Sequence, residues 1–133
     1  MEIDKIEAGP EMDTLIAEKV MGWKLGKSKW IHDYMMHGMF ETEEWKGSTK
    51  GILTHTKKSW HPSTDISTAW EVVEKLKDEL PQGIKISFWK HEGWCVAWKF
   101  DSMGALDDGF VLAPTVFLAI CRAALKVIEN KIR

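Results

Sequence analysis

Apolar residues recur at spacings of three and four in three stretches of the chain, which is the pattern of amphipathic helices. The clearest stretch covers residues 64–80, where one side is apolar and the other carries acids and lysines. Two more helices are predicted over residues 10–22 and 114–131. The last of these has only a narrow polar stripe, so we expect it to be largely buried.

The helix over residues 64–80 organises the predicted fold, and its start is marked by a proline and three possible capping residues. Pro62 interrupts the preceding segment. Ser63, Thr64 and Asp65 can each accept a hydrogen bond from the free N–H groups of the first turn, and the sequence leaves the N-cap open among them. In this interpretation Trp70 is a core anchor. The predicted buried face comprises Ile66, Ala69, Trp70, Val73, Leu76 and Leu80.

After the turn that ends this helix, apolar and polar residues alternate along the chain with a period of two. Residues 84–88 and 94–100 alternate in this way on either side of a turn at residues 91–93, which predicts a hairpin, and Phe110–Ala113 is a third predicted strand. The sequence therefore predicts an α/β fold, a three-layer α/β/α sandwich with a small, mostly antiparallel sheet. We expect residues 66–80 to press their apolar face directly on residues 94–100.

Composition and charge narrow the class of protein. The 133 residues suit a single domain, 1–133, that can bury a core without disulfides or metal, and Cys95 and Cys121 are expected to be reduced and buried. A net charge of −2 gives no reason to expect nucleic acid or a membrane as partner. No stretch approaches the roughly 20 apolar residues of a membrane helix. The charged first residues lack a signal-peptide core, so we expect a cytoplasmic location.

The middle of the chain, residues 24–61, is interpreted as an irregular Lys/Trp-rich insertion, with short strands predicted near residues 29–36 and 51–56. Residues 23–61 carry seven lysines and four acids. Indole rings that stack on bases, beside cations that meet phosphates, are what a nucleotide site requires. The alternative is a solvated basic loop whose tryptophans close the edge of the core, and the small charge excess favours it. The tryptophans concerned are Trp23, Trp30, Trp45 and Trp60.

Three separated blocks resemble a known family. Residues 17–23, residues 62–65 with 69–76, and residues 119–125 occur in the order seen in the phage ABA sandwich domain family, small proteins of phages and prophages. The resemblance covers about half of the chain and leaves residues 24–58 unmatched. It implies an α/β/α sandwich and a phage or prophage origin, hence the host cytoplasm, and it implies no particular activity.

We therefore expect a non-enzymatic phage accessory protein that binds a nucleotide-like signal molecule or a host protein, for example in counter-defence. No catalytic residues, cofactor or metal site are predicted, because no motif or ligand spacing supports them. One alternative is a homo-oligomeric interaction protein, whose tryptophans would favour self-association. Another is an enzyme acting on nucleotides. The candidate ligand-binding residues are Trp23, Lys58, Trp60, Ser63, Thr64 and Asp65.

Overall fold

The computed structural model describes residues 2–33, 38–50, 53–100 and 109–132. A 3₁₀ turn, Ile3–Lys5, comes before the first helix. The helices are α1 (Pro10–Leu15), α2 (Ile66–Lys77) and α3 (Val116–Ile132), and a π-helical turn, Ile16–Val20, continues α1. The strands are β1 (Lys24–Asp33), β2 (Gly38–Lys46), β3 (Lys85–Trp89), β4 (Gly93–Ala97) and β5 (Phe110–Ala113).

Helix α2 starts at a side-chain cap. Asp65 is the N-cap, since its carboxylate accepts the Thr68 N–H at 3.1 Å while its own backbone is extended. Such a cap satisfies one of the free donors of the first turn and places a negative charge at the positive end of the helix. The structure thus selects one of the three candidates that the sequence left open.

The buried face of α2 is rotated from the predicted one. Ala69, Val73 and Leu76 are buried as expected, and Val72 joins them. Trp70 is 50% exposed and Ile66 is 49% exposed, so the prediction that Trp70 is a core anchor is wrong. Each residue turns the helix by about 100°. The face centred on Ala69 and Leu76 therefore leaves Trp70 at its margin, and the small Ala69 lets α2 approach its neighbour closely.

The strands β3, β4 and β5 form an antiparallel sheet in that order. The register pairs Ile86 with Val96 and Val96 with Val111, so apolar residues lie side by side on one face. Gly93 opens β4 with a φ of +97°, and a Cβ there would lie 2.6 Å from the Ala113 carbonyl oxygen. Glycine is required at this turn because the strands approach too closely for a side chain.

Helix α3 is the centre of the fold. It packs on β4 and β5 on one side and on α2 and the π-helical turn on the other. The predicted α/β fold, with three helices and an antiparallel sheet, is confirmed. The expected direct packing of α2 on residues 94–100 is corrected, because α3 takes that place. Most of α3 is buried, as its narrow polar stripe predicts.

One member of that polar stripe is buried rather than solvated. Arg122 is 6% exposed, and its guanidinium donates to the Ile6 carbonyl oxygen at 3.1 Å. Nearby, the Lys126 ammonium pairs with the Asp4 carboxylate at 2.8 Å. The first residues of the chain are therefore fastened to α3. Among the described residues, no helix has the length and apolar character needed to cross a membrane.

The middle of the chain is a long hairpin followed by a return segment. β1 and β2 pair antiparallel from Lys24 opposite Lys46 to Asp33 opposite Gly38, so the strands are longer than the short ones predicted. Residues 55–57 then pair with the last part of β2, through Trp45 N–H to the His55 carbonyl at 2.9 Å and Lys57 N–H to the Glu43 carbonyl at 3.0 Å. Residues 34–36 and 51–52 of the predicted strands lie outside the described residues.

Candidate functional site

The return segment brings a histidine against helix α2. His55 Nε2 lies 2.9 and 3.0 Å from the two carboxylate oxygens of Glu71, and Nδ1 lies 3.2 Å from the Ser59 hydroxyl oxygen. An ionised carboxylate only accepts hydrogen bonds, so His55 Nε2 carries a proton and donates it to Glu71. The side chains of His55 and Glu71 are 21% and 32% exposed. This contact fastens the return segment to α2.

Two tryptophans enclose the other sides of the His55 ring. The Trp23 ring stacks on it with centroids 5.8 Å apart, and Trp60 meets it edge-on at 5.0 Å. Trp23 and Trp60 also contact each other at 4.6 Å in an edge-on arrangement. Trp60 is 2% exposed, and its indole N–H donates to the Asp13 carbonyl oxygen at 3.0 Å. Trp60 therefore anchors the cluster in the core, whereas Trp23 is half-buried and borders a cavity.

The turn after β2 shapes the edge of this cluster. Gly47 has a φ of +103°, and a Cβ at this position would lie 3.1 Å from the Trp23 ring. The Ser48 hydroxyl donates to the Trp45 carbonyl oxygen at 2.6 Å and accepts the His55 N–H at 2.9 Å. One buried hydroxyl thus closes the turn and holds the backbone of His55 in place.

Two adjoining hollows lie between α2 and residues 47–50 and 53–59, and we call them together the α2 groove. They share Ser48, Lys50 and Glu71. The first, of about 490 Å³, extends towards Trp23 and Lys75, and the second, of about 430 Å³, extends towards His55, Ser59 and Leu53. Small-molecule sites commonly measure about 300–1,000 Å³. The α2 groove has this size and combines one indole ring, two ammonium groups and three carboxylates.

A smaller pocket of about 70 Å³ lies beside Asp13, Trp45 and Trp60. The Asp13 carboxylate accepts the Ser63 N–H at 2.9 Å. Burial raises the pKa of the Asp13 carboxyl above its usual value, and the hydrogen bonds from Ser63 oppose this shift only in part. Burial likewise raises the pKa of the Cys121 and Cys95 thiols, which makes them poor nucleophiles at neutral pH. The described residues hold no group of three or more His, Cys, Asp or Glu side chains that could bind a metal ion.

The structure separates the six residues predicted to bind ligand. Only Trp23 lines the α2 groove. Ser63 is 1% exposed, and its hydroxyl accepts the Gly9 N–H at 2.9 Å, which ties α1 to the segment before α2. Trp60 is the core anchor described above and Asp65 is the N-cap of α2, while Lys58 and Thr64 are exposed. A ligand-binding role for these residues stays a prediction.

Sequence reasoning missed the contact on which the groove depends. The sequence pattern places Glu71 among the acids and lysines on the polar side of α2. His55 lies 16 residues before Glu71, in a segment without helical or strand periodicity. The only local sign was the sequence of turn-forming residues around His55. Because that sign is common to many loops, the pair could not be found without the fold.

The profile of the phage ABA sandwich domain family matches residues 14–125. The chain is also similar in structure to a phage protein from Bacillus cereus ATCC 14579, solved by crystallography, with a TM-score of 0.51. The two are 24% identical, and the match covers 91% of this chain and 92% of the other. At this identity the likeness concerns the fold. No curated protein matches the chain at a significant level.

Proposed function

The chain belongs to the phage ABA sandwich domain family, and from this premise we propose that it is a phage accessory protein that acts by binding a nucleotide-like small molecule in the α2 groove. The family is one of phage proteins of unknown activity, so the ligand has to be inferred from the site. We place this action in the host cytoplasm, where a phage protein meets host signal molecules.

The observation that carries the proposal is the set of groups that the α2 groove presents together. The half-buried Trp23 ring borders the groove, and aromatic rings of this kind stack on nucleobases. Lys50 and Lys75 line the same hollow and suit phosphate oxygens. The Glu71 carboxylate keeps acceptor capacity beyond its bond to His55 and can accept from the amino group of a base. A nucleotide-like molecule offers all three kinds of partner.

The mixed charge of the groove also limits the kinds of ligand that it can bind. Glu71, Glu74 and Asp78 line the same hollow as the two lysines. A bare polyanion would meet these carboxylates unfavourably, whereas a small molecule with one or two phosphates and a base that donates hydrogen bonds can place each group beside its complement. This argues for a mononucleotide or a small cyclic nucleotide over a long single strand.

The hydrogen bonds of Ser59, whose hydroxyl contacts the His55 ring, favour binding over catalysis. The Ser59 oxygen accepts the Thr56 N–H at 2.9 Å, and the Ser59 N–H bonds back to the Thr56 hydroxyl and carbonyl oxygens at 3.2 Å. These bonds are those of a closed turn. Ser59 and its contact with His55 are thus explained as supports of the groove wall.

The test is a panel of mononucleotides, dinucleotides and cyclic nucleotides, examined by thermal shift and native mass spectrometry. We expect at least one member to raise the melting temperature and to be released with unchanged mass. Lys50→Ala combined with Lys75→Ala should weaken its binding by at least about tenfold, equivalent to ~1.4 kcal/mol. Lys58→Ala, a matched change outside the groove, should leave the affinity unchanged.

Three results would contradict the proposal. The first is a melting temperature that does not change with up to about 1 mM of any ligand in the panel. A dissociation constant of that size corresponds to a binding free energy of only ~4 kcal/mol. The second is a loss of affinity in Lys58→Ala that equals the loss in the double variant, because the site would then lie at the residues predicted from the sequence. The third is release of a chemically altered nucleotide, which would identify an enzyme.

A further inference from the structure

The two hollows of the α2 groove meet at three shared residues. Ser48, Lys50 and Glu71 border both hollows, whereas Trp23 borders only the first and Leu53 only the second. The hollows measure about 490 and 430 Å³, so each is large enough by itself for a small ligand. A ligand that fills the whole groove therefore has two ends and a middle, and the middle passes Lys50 and Glu71.

Two backbone hydrogen bonds hold Lys50 and Leu53 directly opposite each other. The Lys50 N–H donates to the Leu53 carbonyl oxygen at 2.7 Å, and the Leu53 N–H donates to the Lys50 carbonyl oxygen at 3.0 Å. The hydroxyls of Thr49 and Thr54 extend this pairing with a contact of 2.7 Å. Directly opposed residues of an antiparallel pair present their side chains on the same face. An ammonium group and a large apolar side chain are therefore held next to each other on one wall of the groove.

Leu53 gives the second hollow an apolar surface. The residue is 73% exposed, which is ordinary for a single leucine and carries no meaning by itself. Leu53, however, borders a hollow that His55 and Glu71 also line. A flat ring in this hollow would cover Leu53 and remove its apolar surface from water, which would stabilise the complex. The second hollow therefore suits a ring system, as the first does beside Trp23.

The middle of the groove offers partners for a phosphate and a sugar. Lys50 is exposed, and its ammonium group suits a phosphate oxygen. Both carboxylate oxygens of Glu71 contact His55 Nε2, which fixes the orientation of the carboxylate. A carboxylate has about four acceptor sites, so Glu71 can also accept from a ribose hydroxyl, a contact that acidic residues make in other nucleotide sites. The Ser48 hydroxyl is already bonded within the protein, so a ligand meets mainly Lys50 and Glu71 here.

We propose that the ligand of the α2 groove is a dinucleotide, a molecule in which two nucleosides are joined through one or two phosphates. One base stacks on Trp23 in the first hollow, and the second ring lies against Leu53 in the second. The ribose and phosphate that join them contact Glu71 and Lys50. The inference rests on the proposed function, because it narrows nucleotide-like ligands to those with two bases. A mononucleotide would fill one hollow and leave the other to water.

Isothermal titration calorimetry on the full chain tests the inference with three kinds of probe, namely mononucleotides, 3′,5′-linked dinucleotides and pyrophosphate-linked dinucleotides. We expect at least one dinucleotide to bind at least about tenfold more tightly than either of the mononucleotides that compose it, because linking the two nucleosides makes the contact of the second ring intramolecular. The two kinds of dinucleotide differ in the number of phosphates between the nucleosides. The kind that binds more tightly identifies the linkage.

Leu53→Ser tests the second end of the ligand. This variant should reduce the advantage of the dinucleotide over the mononucleotide at least about fivefold, because the second ring then covers less apolar surface. Phe88→Ser, a matched change at an exposed apolar residue of β3, should leave that advantage unchanged. Melting temperatures establish that both variants are folded.

The outcomes distinguish this inference from the proposed function. If a mononucleotide binds as tightly as every dinucleotide, the inference is overturned and the proposed function stands. The same conclusion follows if Leu53→Ser weakens both kinds of ligand equally, or weakens neither. If no nucleotide of any kind binds, the proposed function itself fails, and this inference fails with it.

Discussion

The helices α1 to α3 and the described part of the middle segment, residues 24–61, are held in place by different interactions. In α3, residues such as Leu118, Ile120 and Leu125 are buried by contact with other apolar side chains and need no specific partner. In the middle segment, Trp60 and Ser48 are buried together with particular hydrogen bonds to the backbone. Apolar packing tolerates substitutions that conserve volume, whereas a buried polar contact fails when one partner is removed. The middle segment should therefore be more sensitive to single changes.

The largest expected effect is at Trp60. Trp60→Ala should lower the free energy of unfolding by about 3–5 kcal/mol, because it leaves a cavity and removes the donor to the Asp13 carbonyl. Trp70→Ala provides the matched control, since half of Trp70 is already exposed, and should cost less than about 1.5 kcal/mol. Urea denaturation measures both. If both variants lost the same free energy of unfolding, the middle segment would not be more sensitive to single changes than the helices.

A smaller effect is expected at Asp13, which joins the two regions through Ser63. Asp13→Ala leaves the buried Ser63 N–H without its acceptor and should cost about 1–3 kcal/mol. Glu18→Ala removes a charge at the surface and should change the free energy of unfolding by no more than about 0.5 kcal/mol. It therefore separates the loss of the Ser63 contact from the loss of a charge. A cost at Asp13 no greater than that at Glu18 would show that the contact does not support the fold.

The Asp13 carboxyl also makes the stability of the protein depend on pH, and the direction of this dependence follows from its raised pKa. Burial raises the pKa of Asp13 in the folded state, so the folded protein holds this proton more tightly than the unfolded chain. Its contribution to stability is present below the unfolded pKa, about 3.9, and is lost as the pH rises through the folded pKa. The stability of the natural chain relative to Asp13→Asn should fall over that interval in denaturation curves. A difference that grows with pH would contradict the assignment.

The smallest of these effects is at the start of α2. Asp65→Ala should destabilise the protein by about 0.5–2 kcal/mol, because the Thr68 N–H loses its cap. Thr64→Ala changes an exposed residue outside the helix and should stay within about 0.5 kcal/mol. Thermal denaturation of the two variants at pH 7 distinguishes them. A larger loss in Thr64→Ala would place the N-cap elsewhere.

The two regions also differ in how far their structure could be predicted from the sequence. The positions of α2, α3 and β3 to β5 followed from local periodicity, because each of these elements buries one side of a regular pattern. The exposure of Trp70 was not predicted. The spacing of apolar residues defines the orientation of a buried helix face only to within about one residue. The side on which α2 packs depends on α3, which begins 39 positions after the end of α2, and not on α2 itself.

The middle segment was predicted poorly for a physical reason. Its long strands have no clean alternation, and its buried residues are placed by partners far along the chain, such as Asp13 for Trp60 and Glu71 for His55. A pattern in the local sequence carries no record of such pairs. The aromatic and lysine content predicted a ligand site in this segment, but it could not indicate that α2 supplies the opposite wall of the groove.

The central claim is that residues 44–50 and 53–60 are fixed on α2 and so form one wall of the groove. Native-state hydrogen exchange tests it directly at the amides of Trp45, His55 and Lys57, each of which donates a hydrogen bond that holds this wall. We expect these amides to be protected, and Glu71→Ala to reduce the protection of His55 more than that of the α3 amides. Exchange of all three at the rates of an unstructured peptide would contradict the account.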